Sequence, residues 1–268
     1  MNWTKKMLVG MIHVRALPGT PKSKLGVAEI VRLAAEEARV LAASGFDALI
    51  VENMHDLPYL KREVGPEITA AMTAVTGEIV SRVKIPVGVQ ILAGANKAAL
   101  AVAKATGAGF IRAEGFVFAH VADEGLMESD AGGLLRYRRA IGADSIGVWA
   151  DIKKKHSSHS ITADVNLSET AHAAEFFGAD ALIVTGSATG KAARPEDLRE
   201  TSNATRLPVL VGSGISGANL AEYWPLADGF IVGSSLKKNG RWDAPLDSQR
   251  ISKFLKAAEK LRRAYGRR

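Results

Sequence analysis

Cysteine is absent from this 268-residue chain, and other features that would narrow its function are missing as well. Without cysteine the chain can form neither disulfide bonds nor zinc–thiolate sites, although that absence alone does not identify a compartment. No apolar stretch is long enough to span a bilayer, and residues 1–6 lead into a strand-like segment without the apolar core of a signal peptide. We therefore expect a soluble, cytoplasmic protein.

The usual nucleotide and metal motifs are also missing. No GxGxxG follows the first strand-like segment, and Gly190-Lys191 is followed by Ala192, so the P-loop pattern is not met. No HExxH motif is present either. The missing GxGxxG weighs against a doubly wound open sheet, which is the main structural alternative considered.

Short apolar runs alternate with longer helical patterns along the whole chain, which indicates βα units and a parallel sheet. The length suits one TIM barrel, and 47% hydrophobic residues are enough for a large core. Eight strands are predicted, at residues 7–13, 48–52, 87–91, 110–113, 146–150, 181–185, 209–211 and 230–232. Their Val, Ile and Leu content is typical of strands covered on both faces. We predict a single (β/α)8 barrel domain over residues 1–268.

Two glycine–serine turns follow the last two predicted strands. The first is Gly212-Ser213-Gly214 and the second is Gly233-Ser234-Ser235. A strand that ends in glycine and serine leaves backbone N–H groups free to face an anion, and the seventh and eighth strands of a barrel frequently form a phosphate site in this way. The turns therefore predict binding of a phosphorylated small molecule.

Polar residues follow most of the other predicted strands, at the end where parallel barrels carry their chemistry. They are His13, Glu52, Asn53, Gln90, Arg112, Glu114, Asp151, Lys155, His156, Thr185 and Gly186. Carboxylates, a histidine and an arginine grouped at the mouth of a barrel are typical of acid–base catalytic sites, in which neighbouring charges shift the pKa values of the titratable side chains apart. Glu52 and Asp151 are the predicted base and acid. Lys155, His156 or Arg112 would stabilise a developing oxyanion, and the others would contact substrate.

Several of these residues also fit structural roles. Gln90 is equally suited to be a satisfied amide inside the barrel, and Arg112 could simply pair with Glu114. A lysine here could form a Schiff base, but Lys153 and Lys154 are interpreted as solvated residues at the lip of the barrel. No cofactor is identified. A divalent metal ion held by Glu52, Asp151 and His156 is conceivable, although no spacing motif supports it.

The net charge of +7 is concentrated near the C-terminus. The basic residues there are Lys253, Lys256, Lys260, Arg262, Arg263, Arg267 and Arg268. Such a helix could meet nucleic acid or an anionic membrane surface, but no aromatic stacking platform accompanies the charge. We interpret it as a solvated outer helix that packs through residues such as Ile251 and Phe254, and we predict no nucleic-acid partner. We also expect a homo-oligomer, as for many barrels of this size.

An ordered series of short motifs resembles the BtpA/SgcQ family over nearly the whole length. The motifs are Gly10-Met11-Ile12-His13 with Leu17-Pro18-Gly19, Val51-Glu52-Asn53 with Asp56 and Pro58, Asp151 with Lys155-His156, Val184-Thr185-Gly186 with Ala188-Thr189-Gly190, Val211-Gly212-Ser213-Gly214, Ala227-Asp228-Gly229 with Ile231-Val232-Gly233, and Leu236-Lys237 with Asn239-Gly240, Asp247 and Arg250. The chain departs from the family pattern at Val14-Arg15-Ala16 and at Met54-His55, which leaves substrate details open.

The resemblance implies a barrel of the ribulose-phosphate-binding type. It also implies one of two roles, because some members are associated with photosystem I biogenesis and others with sugar-utilisation systems. Our first hypothesis is an isomerase, epimerase or lyase acting on a phosphorylated sugar or sugar-like metabolite. The alternative is a non-catalytic biogenesis factor for a membrane complex.

Overall fold

The computed structural model describes residues 6–186 and 190–265, so Ser187, Ala188 and Thr189 of the predicted ligand-covering loop, and Arg267 and Arg268 of the basic C-terminus, lie outside the described residues. Eight parallel strands form a closed barrel, in which the first strand pairs with both the second and the last. The barrel strands are β1 (Met7–His13), β2 (Ala48–Glu52), β3 (Val87–Gln90), β4 (Phe110–Ala113), β7 (Gly147–Lys153), β9 (Ala181–Val184), β10 (Val209–Val211) and β11 (Gly229–Val232). Closure excludes the open-sheet alternative.

A helix follows each barrel strand. The helices are α1 (Val27–Ser44), α2 (Pro66–Arg82), α3 (Asn96–Thr106), α4 (Ala131–Ala140), α5 (Leu167–Phe176), α6 (Pro195–Ala204), α7 (Leu220–Tyr223) and α8 (Ser248–Tyr265). Ile251, Phe254 and Ala258 of α8 are buried, which confirms the predicted inward face of this basic helix. The predicted (β/α)8 barrel is therefore the observed fold.

A small antiparallel sheet above the barrel was not predicted. It comprises β5 (His120–Ala122), β6 (Gly125–Met127) and β8 (Ser157–Ser158), which lie in the loops after β4 and β7. Strands of two or three residues carry too few positions for an alternating pattern to be recognised. The strand β7 also runs to Lys153, three residues beyond its predicted end, with an irregularity between Asp151 and Lys153.

Strand register sets which side chains meet at the top of the barrel. His13 of β1 pairs with Glu52 of β2, and Glu52 pairs in turn with Gln90 of β3. On the next pair of strands, Arg112 of β4 is level with Trp149 of β7. Because neighbouring residues in register lie side by side, the sheet places His13, Glu52 and Gln90 in one row.

The barrel interior is filled by large apolar side chains below that row. The rings of Phe110 and Trp149 stack with centroids 3.7 Å apart. Gly88 of β3 faces this stack, and a Cβ atom there would lie 2.2 Å from the Phe110 ring. Glycine at position 88 is therefore required by the size of Phe110.

We expect Gly88→Ala to lower the free energy of unfolding by about 1–3 kcal/mol, because the added methyl group overpacks the barrel interior. Urea unfolding at constant pH measures this change. Gly77→Ala is the matched control, since a Cβ at this position of α2 meets only the Thr106 side chain of α3, at an ordinary contact distance of 3.7 Å. Alanine also favours the helix at that position. Equal effects of the two substitutions would contradict the packing argument.

Candidate active site

A cavity of about 240 Å³ opens at the carboxyl ends of the barrel strands. One wall consists of the turns after β10 and β11, including Gly212–Gly214 and Gly233–Ser235. The cavity is also lined by the charged and polar side chains of His13, Glu52, Arg112 and Lys155. The structure thus brings both predicted turns and four of the predicted polar residues to one space.

The two turns offer an anion mainly their backbone N–H groups, because the hydroxyl groups of Ser213 and Ser235 already have partners. Ser213 Oγ donates to the carbonyl of Lys191 at 2.8 Å, and Ser235 Oγ donates to the carbonyl of Ile215 at 2.7 Å. The N–H groups of Ser234 and Ser235 begin a short 3-10 helix, where the first N–H groups have no partner within the helix. Any anion there would be met mainly by backbone N–H groups.

Gly214 and Gly233 are needed for the shape of this wall. Gly214 has a φ of 70°, and a Cβ there would lie 2.1 Å from the backbone nitrogen of Ala192. At Gly233 a Cβ would lie 3.2 Å from the ring of His13. Glycine therefore lets the turn after β10 touch the chain around Ala192, and leaves room for His13 beside the turn after β11.

His13 and Glu52 form a buried pair beside the turns. His13 Nε2 lies 3.6 Å from Glu52 Oε2, and His13 Nδ1 lies 3.0 Å from the carbonyl oxygen of Trp242. Burial and the charge of Lys237 hold the pKa of His13 well below 6.5. A neutral His13 donates from Nδ1 to the Trp242 carbonyl, which leaves Nε2 unprotonated and facing Glu52.

Glu52 and Lys155 carry opposite pKa shifts. Burial raises the pKa of the Glu52 carboxyl, and the charges of Lys155 and Arg112 oppose that rise. Burial also lowers the pKa of the Lys155 ammonium, while Glu52 acts in the other direction. Both groups line the cavity, so each is brought closer to exchanging a proton near neutral pH.

Arg112, which lines the cavity, forms a bidentate ion pair with the buried Asp151. Arg112 Nε and one terminal nitrogen donate to the two Asp151 oxygens at 2.8 and 2.9 Å. Burial alone would lower the pKa of Arg112, but the Asp151 charge and hydrogen bonds outweigh it and raise that pKa. Burial raises the pKa of Asp151 while Arg112 opposes it. We regard the pair as ionised, because two short parallel hydrogen bonds from one guanidinium are the geometry of a charged Arg–carboxylate pair.

This pair corrects two interpretations of the sequence. The Asp151 side chain is fully buried in its pair with Arg112 and is not among the residues that line the cavity, so the structure gives its predicted role as an acid no support. Arg112 pairs with Asp151 and not with Glu114. Glu114 instead lies 3.1 Å from Lys154 and accepts a hydrogen bond from Gln90 at 3.0 Å.

Lys154 is not a solvated residue at the lip of the barrel, and Lys153, although partly exposed, has an acidic partner. Lys153 Nζ donates to Asp197 at 2.6 Å. The side chain of Lys154 is 9% exposed and faces both Glu114 and Glu124, at 3.1 and 3.7 Å. Lys153 and Lys154 look solvated in the sequence, because their acidic partners lie in α6 and in the segment after β4, which only the fold brings close.

Besides Asp151, Gln90 and Glu114, four predicted residues lie outside the 240 Å³ cavity. Asn53 Oδ1 accepts from the N–H of Leu92 at 2.7 Å, and its Nδ2 donates to Asp56 at 2.9 Å, so both ends of the amide hold loops together. Thr185 Oγ1 donates to the carbonyl of Lys153 at 2.8 Å. Gly186 donates its N–H to Ser213 Oγ at 3.2 Å. These contacts support the wall, whereas contact with substrate is unsupported for all three.

His156, the fourth, is exposed, has a φ of 53° and borders a second cavity of about 290 Å³. That cavity adjoins the first and also borders Glu114 and Lys154. Within residues 6–186 and 190–265, no three histidine or acidic side chains are grouped as a metal site would require. Glu52, Asp151 and His156 in particular do not converge.

Several residues that border the two cavities were not predicted from the sequence. These are Met11, Met54, Leu57, Tyr59, Leu92, Asp123, Glu124, Ile215, Ser216, Ile231, Gly240, Trp242 and Arg250. Arg250 belonged to the family motif without an assigned role. Trp242 and Glu124 carry no local signal, because they reach the mouth from loops distant in sequence.

A partly buried histidine, His55, and a buried one, His120, lie near the second cavity and predict acid sensitivity. Burial, with the charges of Arg15 and Lys154 respectively, lowers the pKa of His55 and of His120 from 6.5 to about 4. Between these values the unfolded chain binds more protons, so their contribution to stability is complete above pH 6.5 and is lost as the pH falls toward 4. We expect urea unfolding to show a lower free energy of unfolding at pH 5 than at pH 7.

His120→Gln should reduce that loss, and the exposed His172→Gln should leave it unchanged. An identical pH dependence in the protein and in His120→Gln would show that His120 does not contribute.

None of the helices in the part of the chain that the structure describes is both long and apolar enough to cross a membrane.

Similarity to solved structures is confined to the fold. Thiamine phosphate pyrophosphorylase from Pyrococcus furiosus superposes with a TM-score of 0.58 at 17% identity, covering 96% of each chain. N-(5′-phosphoribosyl)anthranilate isomerase from the same organism gives 0.57 at 15% identity, covering 95% of this chain and 99% of that one.

Sequence relatives are much closer. An uncharacterized mitochondrial protein of Caenorhabditis elegans is 49% identical over 268 residues, which is 98% of this chain and 96% of the relative. The photosystem I biogenesis protein BtpA of Synechocystis is 36% identical over 255 residues, covering 95% of this chain and 88% of that protein. The model of the BtpA family matches residues 4–260. This chain therefore belongs to the BtpA family.

Proposed function

We propose that this protein is an enzyme that binds a phosphorylated sugar or sugar-like metabolite and transforms it by proton transfer. The observation that carries the proposal is that the two glycine–serine turns, Glu52 and Lys155 all border one cavity. Two solved barrels of the same fold have names that contain a phosphorylated compound, which is consistent with this proposal.

The residues of the cavity divide the chemistry among them. Backbone N–H groups of the turns would hold the phosphate. Glu52 would remove or return a proton next to a carbonyl or in the cleavage of a C–C or C–N bond, and Lys155 would supply a proton. Arg112, held by Asp151, would stabilise the oxyanion that forms as the proton leaves. This set of groups suits an isomerase, an epimerase or a lyase.

A thermal-shift titration with ribose 5-phosphate and ribose tests the phosphate site. Ligand at about 100 times its dissociation constant should stabilise the folded protein by about 2.7 kcal/mol. We expect a rise in melting temperature with ribose 5-phosphate and none with ribose.

Ser234→Glu should abolish that shift by placing a carboxylate in the anion site. The control is Ser202→Glu, because Ser202 is exposed at the opposite end of the barrel. The phosphate site would be contradicted by equal shifts with the two sugars, by no shift with either, or by a shift that survives in Ser234→Glu.

A second candidate function rests on the name of one relative. The Synechocystis relative is called a photosystem I biogenesis protein, and α8 of this chain presents a basic outer surface. A biogenesis factor would use such a surface to hold a membrane-protein partner. In that case Lys253→Gln with Lys256→Gln and Lys260→Gln would impair the role while leaving any ligand-induced thermal shift intact.

A further inference from the structure

The second cavity shares three bordering residues with the first. Glu52, Met54 and Lys155 border both, so the two spaces meet at the proposed proton-transfer groups. At about 240 and 290 Å³ the cavities are similar in size. Neither alone reaches the roughly 300–1,000 Å³ usual for small-molecule sites, whereas a molecule extending through both would use a site of that size.

Aromatic and apolar side chains form the walls of the second cavity. Tyr59 is fixed there because its hydroxyl group donates to the carbonyl of Met54 at 2.8 Å. Trp242 packs against His55, with ring centroids 4.7 Å apart. Leu57 and Leu92 complete the apolar surface. Such walls favour a flat, weakly polar group, since aromatic side chains pack well against planar rings.

Buried charges line another part of this cavity. Lys154 faces Glu114 and Glu124 with all three side chains less than 10% exposed, so one ammonium is opposed by two carboxylates. Glu124 Oε2, the oxygen that lies 3.7 Å from Lys154 Nζ, is buried and accepts no hydrogen bond from the described residues. A buried carboxylate oxygen without a donor is costly, and a ligand N–H group would satisfy it. Lys154 could at the same time donate to a ring oxygen or nitrogen.

We propose that the substrate is a phosphorylated sugar carrying a planar nitrogen heterocycle, the class to which nucleoside 5′-monophosphates belong. This inference rests on the proposed function, because it places the phosphate at the glycine–serine turns. The heterocycle occupies the second cavity between Tyr59 and Trp242, with its N–H groups toward Glu124. The sugar carbon that bears the heterocycle then lies at the junction, beside Glu52 and Lys155.

Calorimetric titration with guanosine, adenosine, uridine and cytidine 5′-monophosphates, ribose 5-phosphate and guanosine tests this assignment. We expect at least one nucleoside monophosphate to bind tenfold or more tightly than ribose 5-phosphate. Guanosine without phosphate should bind at least tenfold more weakly than its monophosphate. Both comparisons use the full chain.

Variants of the second cavity separate its role from that of the phosphate site. Trp242→Ala and Glu124→Gln should each weaken the preferred monophosphate about tenfold and change ribose 5-phosphate less than twofold. Trp242 is only partly buried. Alanine retains the backbone carbonyl that His13 contacts and removes only the edge contact between the two rings, whose centroids lie 6.2 Å apart. Phe176→Ala, a substitution of an exposed ring at the end of α5, is the matched control and should change neither affinity.

The outcomes distinguish this inference from the proposed function. If ribose 5-phosphate binds as tightly as every monophosphate, or if both cavity variants weaken the two ligands equally, the heterocycle site is wrong and the phosphate site stands. If none of the phosphorylated probes binds, both proposals are overturned.

Discussion

Replacing Arg112 with methionine is expected to lower the free energy of unfolding by about 3–5 kcal/mol, the usual cost of breaking a buried ion pair by removing one partner. The Arg112 and Asp151 side chains are 3% and 0% exposed, and two hydrogen bonds join them. Without Arg112, Asp151 would be a buried carboxylate with no cation in contact. Chemical denaturation at pH 7 measures the loss.

The double variant Arg112→Met with Asp151→Leu should recover much of that loss, because it removes the second charge as well. Arg139→Met is the surface control, since the Arg139–Asp144 pair is solvent-exposed and such pairs contribute little. A single variant Arg112→Met as stable as Arg139→Met would show that the buried pair does not matter for folding. The double variant should still lack turnover, because Arg112 is the proposed oxyanion group.

Replacing Glu52 with glutamine is expected to reduce turnover by about 100- to 10,000-fold, which is the usual contribution of a positioned acid–base group. Glutamine keeps the shape of the side chain but cannot accept a proton. The phosphate turns are untouched, so the thermal shift with ribose 5-phosphate should persist. Turnover is measured on the phosphorylated ligand that produces the largest thermal shift.

The stability of Glu52→Gln should equal or exceed that of the unsubstituted protein at pH 7. Burial raises the pKa of Glu52, so its protonated form contributes stability below the ordinary glutamate pKa of about 4.3, and this is lost as the pH rises through the folded value. Glutamine removes that loss. Glu36→Gln, on the exposed face of α1, is the control for both measurements. Full turnover in Glu52→Gln would remove Glu52 from the mechanism.

The barrel strands show how closely strand bounds can be predicted from the sequence. The bounds predicted for 7–13, 48–52, 110–113 and 209–211 are those of β1, β2, β4 and β10. These strands are apolar runs with burial on both faces, so composition marks them directly. Predicted strand 146–150 instead begins one residue later and continues to Lys153, because the polar residues there find partners on β4 and α6.

The polar residues at the strand ends were predicted as a group, but their individual contacts were not. Arg112 and Asp151 are 39 residues apart, and Glu114 and Lys154 are 40 residues apart in the numbering. The sequence alone does not show whether Arg112 pairs with Asp151 or with Glu114. Only the positions of β4 and β7 in the sheet decide that Arg112 takes Asp151 and leaves Glu114 to Lys154.

The sequence by itself determined the (β/α)8 architecture, the two glycine–serine turns and the set of polar residues at the mouth, because strand composition, turn chemistry and strand ends are local properties. The tertiary structure decided which polar residues face the cavity, which ones support it, and that a second cavity with Tyr59, Trp242 and Glu124 adjoins the first. Those outcomes depend on strand register and on loops brought together from distant parts of the chain. Burial and pairing, which set the pKa of Glu52 and Lys155, exist only once that packing is complete.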